Sequence, residues 1–367
     1  MSAKYFIYPG SFSPPTFGHL EIIRKAAEIF PNILVICSRN QSKKYYFTEQ
    51  ECANLWTGYS LPNNVSITTF TEVVESGMDL KETVMIRGLR GETDSEEEKR
   101  VMIENWKKFG LNKFFFIITD EIYRHVSSSA ARRAAEELDW QTLAKNCSPL
   151  VVSSLLEKVH GFEHLFLVVG RPGSGKSTFV KSLAESDKRN VRIDTDDFNH
   201  RLRPELEHLF GTDDLATIAL HDEEKLKAAI AKPWFAMLAE AVKSVPAGSR
   251  VFIEVPYGLQ ADKRIFRYLG GKVIYVGCDE KENYERVAAR GTSRLQEFIR
   301  KIPGWEETLA AAEENHLFLC RIKTDGEINQ TIEAASRFNQ TLNSMTGETS
   351  WTTSRVWKKD GLLWWQN

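Results

Sequence analysis

The sequence predicts an α/β protein made of two doubly wound parallel-sheet domains in series. Three observations predict it. First, the apolar run Leu165-Phe-Leu-Val-Val169 leads into Gly170-Arg-Pro-Gly-Ser-Gly175-Lys176-Ser177-Thr178 and then into a helical pattern. This is G-x-x-x-x-G-K-[ST] in its strand–loop–helix setting. Second, such a loop normally follows the first strand of its own sheet, so residues 1–164 need a separate home. They open with their own strand–helix–strand pattern, for which a right-handed crossover in a parallel sheet is expected. Third, 367 residues suffice for about two domains, each with a real core. The expected boundaries are 1–160 and 161–340, with an aromatic-rich extension over 341–367.

In the first half, Tyr5-Phe-Ile-Tyr8 is a short apolar run closed by Pro9-Gly10 and reads as a buried strand. A helix is expected from about Gly18 to Phe30, because Leu20, Ile23, Ala27 and Phe30 recur at helical spacing. Ile33–Cys37 reads as the second strand. Asn40-Gln-Ser-Lys43-Lys44 follows its carboxyl end. Thr83–Ile86 is a further strand running into Arg87-Gly88-Leu89-Arg90, and Phe114–Ile118 is another. Val126-Ser127-Ser128-Ser129 opens a helix that its serines can cap. These loops all follow the carboxyl ends of strands, where open α/β sheets bind ligands.

In the second half, the glycines of the phosphate loop (Gly170, Gly173, Gly175) let successive N–H groups turn toward phosphate oxygens, and the helix behind adds its positive dipole end. Lys176 is placed to reach the terminal phosphates, Ser177 to hold Mg²⁺, and Thr178 to continue the cradle. Val191–Ile193 is a short strand ending in Asp194-Thr-Asp196-Asp197. Carboxylates at such a place serve as base or metal shell. Asp196 is the first candidate base, with Asp194 the second candidate and also a metal ligand. Helices are expected over Leu202–Gly211 and His221–Val245, with Pro233 marking a boundary or kink. Val251–Pro256 is a strand carrying Glu254 near its end, where an acid either orients a metal-bound water or caps. After the strand Lys272–Val276, a helix from about Asp279 carries Arg286 and Arg290, which the kinase-like setting makes candidate lid arginines closing on nucleotide phosphates. The terminal segment holds Trp351, Trp357, Trp364 and Trp365, with Lys358-Lys-Asp360-Gly361 as a hairpin turn.

Composition excludes several classes. Hydrophobic residues at 42% and charged residues at 27% are a globular balance. A net charge of -2 argues against a nucleic-acid-coating protein or a polybasic membrane binder, so neither nucleic acid nor membrane is an expected partner. Five scattered cysteines without a C-x-x-C pair argue against a zinc site or a disulfide framework. With a start that enters a strand directly, they point to reduced thiols and a cytoplasmic protein.

The string Tyr8-Pro-Gly-Ser11-Phe12-x-Pro-x-Thr-x-Gly18-His19 resembles the nucleotidyltransferase T/H-x-G-H motif. With Lys43, R-G-L-R at 87–90 and Ser127–Ser129, residues 3–160 resemble phosphopantetheine adenylyltransferase. The resemblance implies that His19 and Lys43 contact the reacting phosphates and that Ser11, with Phe12 and Gly18 beside it, stands at the attacking phosphate. It implies that Arg87 and Arg90 clamp substrate and nucleotide, and that Ser127, Ser128 and Ser129 hold the ATP phosphates. Glu98 matches a family glutamate. The family's aspartate in G-[ST]-F-D-P is Ser13 here, and Glu97 replaces a tyrosine. A homo-oligomer through this domain is also implied.

Residues 164–335 resemble dephospho-CoA kinase, in Gly175-Lys-Ser177, Ile193-Asp194-x-Asp196, Phe210-Gly211, Val255-Pro256 and Glu285-Arg286-Val-x-x-Arg290. The family's His-Pro is Lys232-Pro233 here. Together the two resemblances imply a bifunctional coenzyme A synthase with ATP and pantetheine-bearing substrates and Mg²⁺ as cofactor. Three alternatives stay open. One is an adenylyltransferase–kinase pair of nicotinamide riboside salvage. The second is a kinase on another small molecule or a polynucleotide end. The third is a regulatory nucleotide-binding protein without catalysis.

Overall fold

The computed structural model describes residues 5–39, 45–89, 94–255, 264–289, 310, 318–344, 357–359 and 362–364. The chain divides into two compact units, Met1–Val159 and His160–Asn367. Each is α/β with a parallel sheet, as the sequence predicts.

The first unit runs β1 (Tyr5–Gly10), α1 (Phe17–Ile29), β2 (Ile33–Cys37), α2 (Glu49–Leu55), β3 (Val65–Thr69), α3 (Phe70–Glu75), β4 (Thr83–Leu89), α4 (Asp94–Phe109), β5 (Phe114–Ile118), α5 (Ser128–Glu137), α6 (Trp140–Asn146) and α7 (Pro149–His160). The sheet order is β3-β2-β1-β4-β5, all parallel. The chain winds outward from β1 to β3, then returns past β1 to lay down β4 and β5. That reversal opens a crevice above the carboxyl ends of β1 and β4, where ligands of such sheets bind. Strand β3 is not among the elements read from the sequence. Its Val65-Ser-Ile-Thr-Thr69 is half polar because it is an edge strand. Ile7, Ile36, Val73, Met85 and Leu111 form a buried cluster beneath the sheet's face.

The second unit runs β6 (His164–Val169), α8 (Lys176–Ser186), β7 (Asn190–Asp194), α9 (Asp196–Phe210), α10 (Leu215–Lys243), β8 (Arg250–Glu254), α11 (Arg264–Leu269), β9 (Lys272–Gly277), α12 (Glu280–Ala288), β10 (Phe318–Lys323), α13 (Ile328–Ser344), β11 (Trp357–Lys359) and β12 (Leu362–Trp364). Among the described residues the sheet order is β11-β12-β10-β9-β6-β8-β7. Five strands, β10-β9-β6-β8-β7, are parallel, and β12 and β11 add an antiparallel pair beyond β10. Every residue of β8 and β9 is buried, as expected of strands covered on both faces. Phe166, Phe179, Phe252 and Phe338 form an aromatic nucleus that ties β6, α8, β8 and α13 together.

One expectation about α10 changes. Its kink is at Asp222, with φ −151°, where two helices meet, whereas Pro233 sits inside the second of them. That second helix begins beside His221, as the periodicity suggests, whereas α9 starts at Asp196, ahead of the expected Leu202. All five cysteines are free thiols, and among the described residues no helix is long and apolar enough to cross a membrane.

Candidate active sites

In the first unit the site grows from the β1–α1 loop. Phe12 takes a left-handed backbone with φ 40° and turns its ring inward, 2% exposed, against Trp56 and the edge of His19 at 5.1 Å. A Cβ on Gly10 would lie 2.7 Å from that ring, so the glycine makes room for it. The Thr16 N–H donates to His19 Nδ1 at 3.1 Å, and the Thr16 hydroxyl lies 2.9 Å from the same nitrogen. Because a backbone N–H can only donate, Nδ1 is an acceptor and the ring's proton sits on Nε2. Imidazole direction and tautomer are thus set at the start of α1.

The N-terminus of α5 closes on the same loop. Ser127 caps it, accepting from Ala130 N at 3.0 Å, while its own N–H donates to Asn146 Oδ1. The Ser128 hydroxyl donates to Pro14 O at 2.7 Å. Arg132 donates to Ser13 O at 2.7 Å and to the Ser129 hydroxyl at 3.1 Å. Ser13 is buried, and it is its carbonyl that the arginine holds. Gly18 lets α1 approach α5, since a Cβ there would sit 3.2 Å from Val126 O. From β4, Arg87 donates to Pro9 O at 3.3 Å. Of the sequence-derived set, the structure therefore gathers Phe12, Gly18, His19, Arg87 and the three serines around the loop that carries Ser11. Lys43, Arg90 and the side chain of Glu98 lie outside the described residues. Arg132 is the addition. Its signal in sequence is a basic residue one turn into a serine-capped helix, which reads as solvated until its partner loop is known.

In the second unit, Gly170, Gly173 and Gly175 all have positive φ, at 150°, 79° and 85°. A Cβ on Gly170 would lie 2.0 Å from Val276 O. Gly175 caps α8, so the helix begins at Lys176. A cavity of about 150 Å³ lies over this turn, lined by the loop from Pro172 to Thr178 with Asp196, Glu254 and Val255. Backbone N–H groups of a glycine turn and a helix start form an anion cradle. Lys176 Nζ donates to Gly170 O at 2.7 Å and Arg171 O at 3.2 Å.

Opposite the loop, the Ser177 hydroxyl donates to Glu254 Oε2 at 2.8 Å. Glu254 ends β8 beside Asp194, its register partner on β7. Asp194 accepts from Arg192 on one oxygen and from Asp196 N on the other, at 2.5 and 3.1 Å, and does not line the cavity. Asp196 does. The acid at Ser177 is thus Glu254, left between two roles by the sequence, because only the β7–β8 register reveals which carboxylate faces the loop. Hydroxyl and carboxylate oxygens suit Mg²⁺, a hard cation that keeps several waters and takes few protein ligands. Among the described residues no group of three or more His, Cys, Asp or Glu is placed to hold a metal ion.

Arg286 departs from the lid expectation. Its guanidinium donates to Glu282 Oε1 at 2.6 Å, Thr324 O at 2.7 Å, Gly326 O at 3.0 Å and Gly173 O at 3.4 Å. These contacts bind the phosphate loop to the turn after β10, and Arg286 does not line the cavity. Thr324 joins them, donating to Ser174 O at 2.6 Å. Arg290 lies outside the described residues.

Fold and sites together define a nucleotidyltransferase-type domain followed by a P-loop nucleotide-binding domain. A family model described as Cytidylyltransferase-like matches residues 7–134, and one described as AAA domain matches residues 165–314. Phosphopantetheine adenylyltransferase of Carboxydothermus hydrogenoformans is 36% identical over 131 residues, which is 35% of this chain and 81% of that protein. The same enzyme of Syntrophomonas wolfei is 35% identical over 134 residues, 36% of this chain and 83% of that protein. Through its first unit, the chain belongs to the phosphopantetheine adenylyltransferase family. The NadR protein in complex with NAD and AMP-PNP aligns over 94% of this chain and 98% of that one, at 16% identity and a TM-score of 0.32, too low to carry an argument. For the second unit the match gives the P-loop class and leaves the acceptor undefined.

Proposed function

We propose that the first unit transfers the adenylyl group of ATP to 4′-phosphopantetheine and that the second phosphorylates the ribose 3′-hydroxyl of the dephospho-CoA so formed. The observation that carries the first step is the convergence of His19, Arg87 and the serine-capped α5 on the loop holding Ser11, in a unit belonging to that enzyme family. A phosphate oxygen of the acceptor attacks the α-phosphorus of ATP, and the bond to the departing pyrophosphate breaks. The nucleophile is already ionised, so the site needs alignment and charge neutralisation more than a base. His19 Nε2–H, Arg87, and Lys43 and Arg90 by family resemblance supply it.

For the second step, Asp196 takes the proton of the acceptor hydroxyl as it attacks the γ-phosphorus, and ADP leaves. The phosphate loop and Lys176 hold the nucleotide. Ser177 and Glu254 would hold Mg²⁺, which neutralises charge on the β- and γ-phosphates. Lying next to an enzyme that makes dephospho-CoA favours that acceptor, because the product of one unit is then the substrate of the other.

A product assay tests both steps. With ATP, Mg²⁺ and 4′-phosphopantetheine, the wild-type chain is expected to yield dephospho-CoA and then CoA. Lys176→Ala should stop at dephospho-CoA. His19→Ala should lose at least about a hundredfold in dephospho-CoA formation, the scale of removing one transition-state donor. No dephospho-CoA from the wild type removes the first assignment. Dephospho-CoA that is never phosphorylated, with nicotinamide riboside phosphorylated instead, replaces the second.

A further inference from the structure

We infer that Arg192 is a positioning residue of the second unit, one that holds Glu254 toward Ser177 and draws Asp194 away from the cavity. The inference rests on reading that unit as a Mg²⁺-dependent phosphotransferase. Arg192 lies on β7 two residues before Asp194, so both side chains leave the same face of the sheet. Its Nε donates to Glu254 Oε1 and its Nη2 to Asp194 Oδ2. Glu254 is thereby fixed at both oxygens, Oε1 by the arginine and Oε2 by the Ser177 hydroxyl. The Thr195 hydroxyl, wholly buried, donates to the Glu254 backbone carbonyl and pins the strand end as well.

The arrangement answers an electrostatic problem. Asp194 and Glu254 are opposite each other in the β7–β8 register, and like charges so placed repel. Glu254 is also buried, its side chain only 6% exposed, where an unpaired carboxylate is costly. One guanidinium bridges both acids in a planar fork that lysine cannot reproduce. The pairing assigns work among the carboxylates. Asp194 has both oxygens engaged outside the cavity, and Glu254, which lines it, is held by the arginine and the serine, which leaves Asp196 as the cavity-lining acid with a part to play on the acceptor.

Partners that orient a metal-binding carboxylate typically carry 10–100-fold of metal affinity. In the full-length chain carrying Arg192→Met, the Mg²⁺ concentration that half-saturates the ADP-dependent rise in melting temperature is expected to increase about tenfold. ADP binding without metal should stay unchanged. In turnover, the loss should concentrate in the half-saturating Mg²⁺ concentration, with kcat at saturating Mg²⁺ changed less. Arg192→Lys should recover part of the loss, because it restores the charge without the fork. Adenylyl transfer by the first unit should be untouched.

Wild-type Mg²⁺ dependence in Arg192→Met overturns the inference while leaving the phosphotransferase reading intact. If Arg192→Met does not fold, Arg192→Lys decides by the same criterion, a raised Mg²⁺ requirement supporting the inference and an unchanged one overturning it. If the wild-type chain binds ADP with no Mg²⁺ dependence at all, the phosphotransferase reading fails first and takes this inference with it.

Discussion

At Gly170 a single methyl group decides whether the phosphate loop can form. Its added Cβ would meet the Val276 carbonyl at 2.0 Å, and that oxygen belongs to the backbone of β9, which has no rotamer to change. Gly170→Ala is expected to cost the second unit on the order of 1–3 kcal/mol and most of its nucleotide binding, while adenylyl transfer is unchanged. Urea unfolding and ADP titration of the full-length variant check this. A wild-type loop in that variant would show that β9 yields more readily than a close-packed sheet should. The requirement for glycine here was legible in the sequence, because the motif fixes the spacing. The roles of Glu254, Arg192 and Arg132 were not. Each depends on a partner far away in the chain, and a lone charged residue on a strand or one turn into a helix has a solvated reading that is just as good. Arg286 shows the opposite error. Its place after a P-loop suggests a lid, but its acceptors are the Glu282 carboxylate and main-chain carbonyls at 173, 324 and 326.

At the scale of elements, α5 illustrates how a helix end serves two purposes. Ser127 satisfies an orphan N–H of the first turn, and the hydroxyl of Ser128 and the guanidinium of Arg132 fasten the β1–α1 loop from the same turn. Ser127→Ala is expected to destabilise the first unit by about 1 kcal/mol, as loss of an N-cap does, and to lower adenylyl transfer beyond what that loss explains. Comparing urea midpoints with kcat/KM for Ser127→Ala and Ser127→Asp separates the effects, since aspartate caps but brings a negative charge to the proposed phosphate site. Equal recovery of both by aspartate would leave Ser127 a cap and nothing more. Helical periodicity made α1 readable, and unbroken apolar runs made β2 and β5 readable. The edge strand β3 and the start of α9 were not, because edge strands mix polar with apolar residues and helix ends are set by tertiary packing.

At the scale of the whole molecule, the two sheets carry their sites at the carboxyl ends of strands, while the amino end of the second sheet is a polar anchor. There Arg250, 1% exposed, pairs with Glu163 at 2.7 Å and donates to Asn343 at 2.9 Å. His164 sits in this end, its pKa pulled down to about 2 by burial and then by the Lys272 and Arg250 charges. In the unfolded chain a histidine titrates near 6.5. Between these values the unfolded state binds the extra proton, so this contribution to stability is complete above about pH 6.5 and erodes as pH falls below it. From pH 7 to pH 5 the second unit should lose about 2 kcal/mol through His164, a loss that His164→Gln removes. Urea midpoints at the two pH values measure it, and an equal slope in both proteins would assign the acid sensitivity elsewhere.

The bond from Thr324 to Ser174 reaches across 150 residues of sequence, and those from Arg286 to the turn between β10 and α13 across 38 and 40. Phe338 of α13 packs its ring on Phe179 of α8, directly behind the same loop. The late part of the chain thus acts as a backstop for a grip formed 150 residues earlier. Repacking that distant helix would slacken the hold on phosphate while leaving every letter of the glycine motif in place.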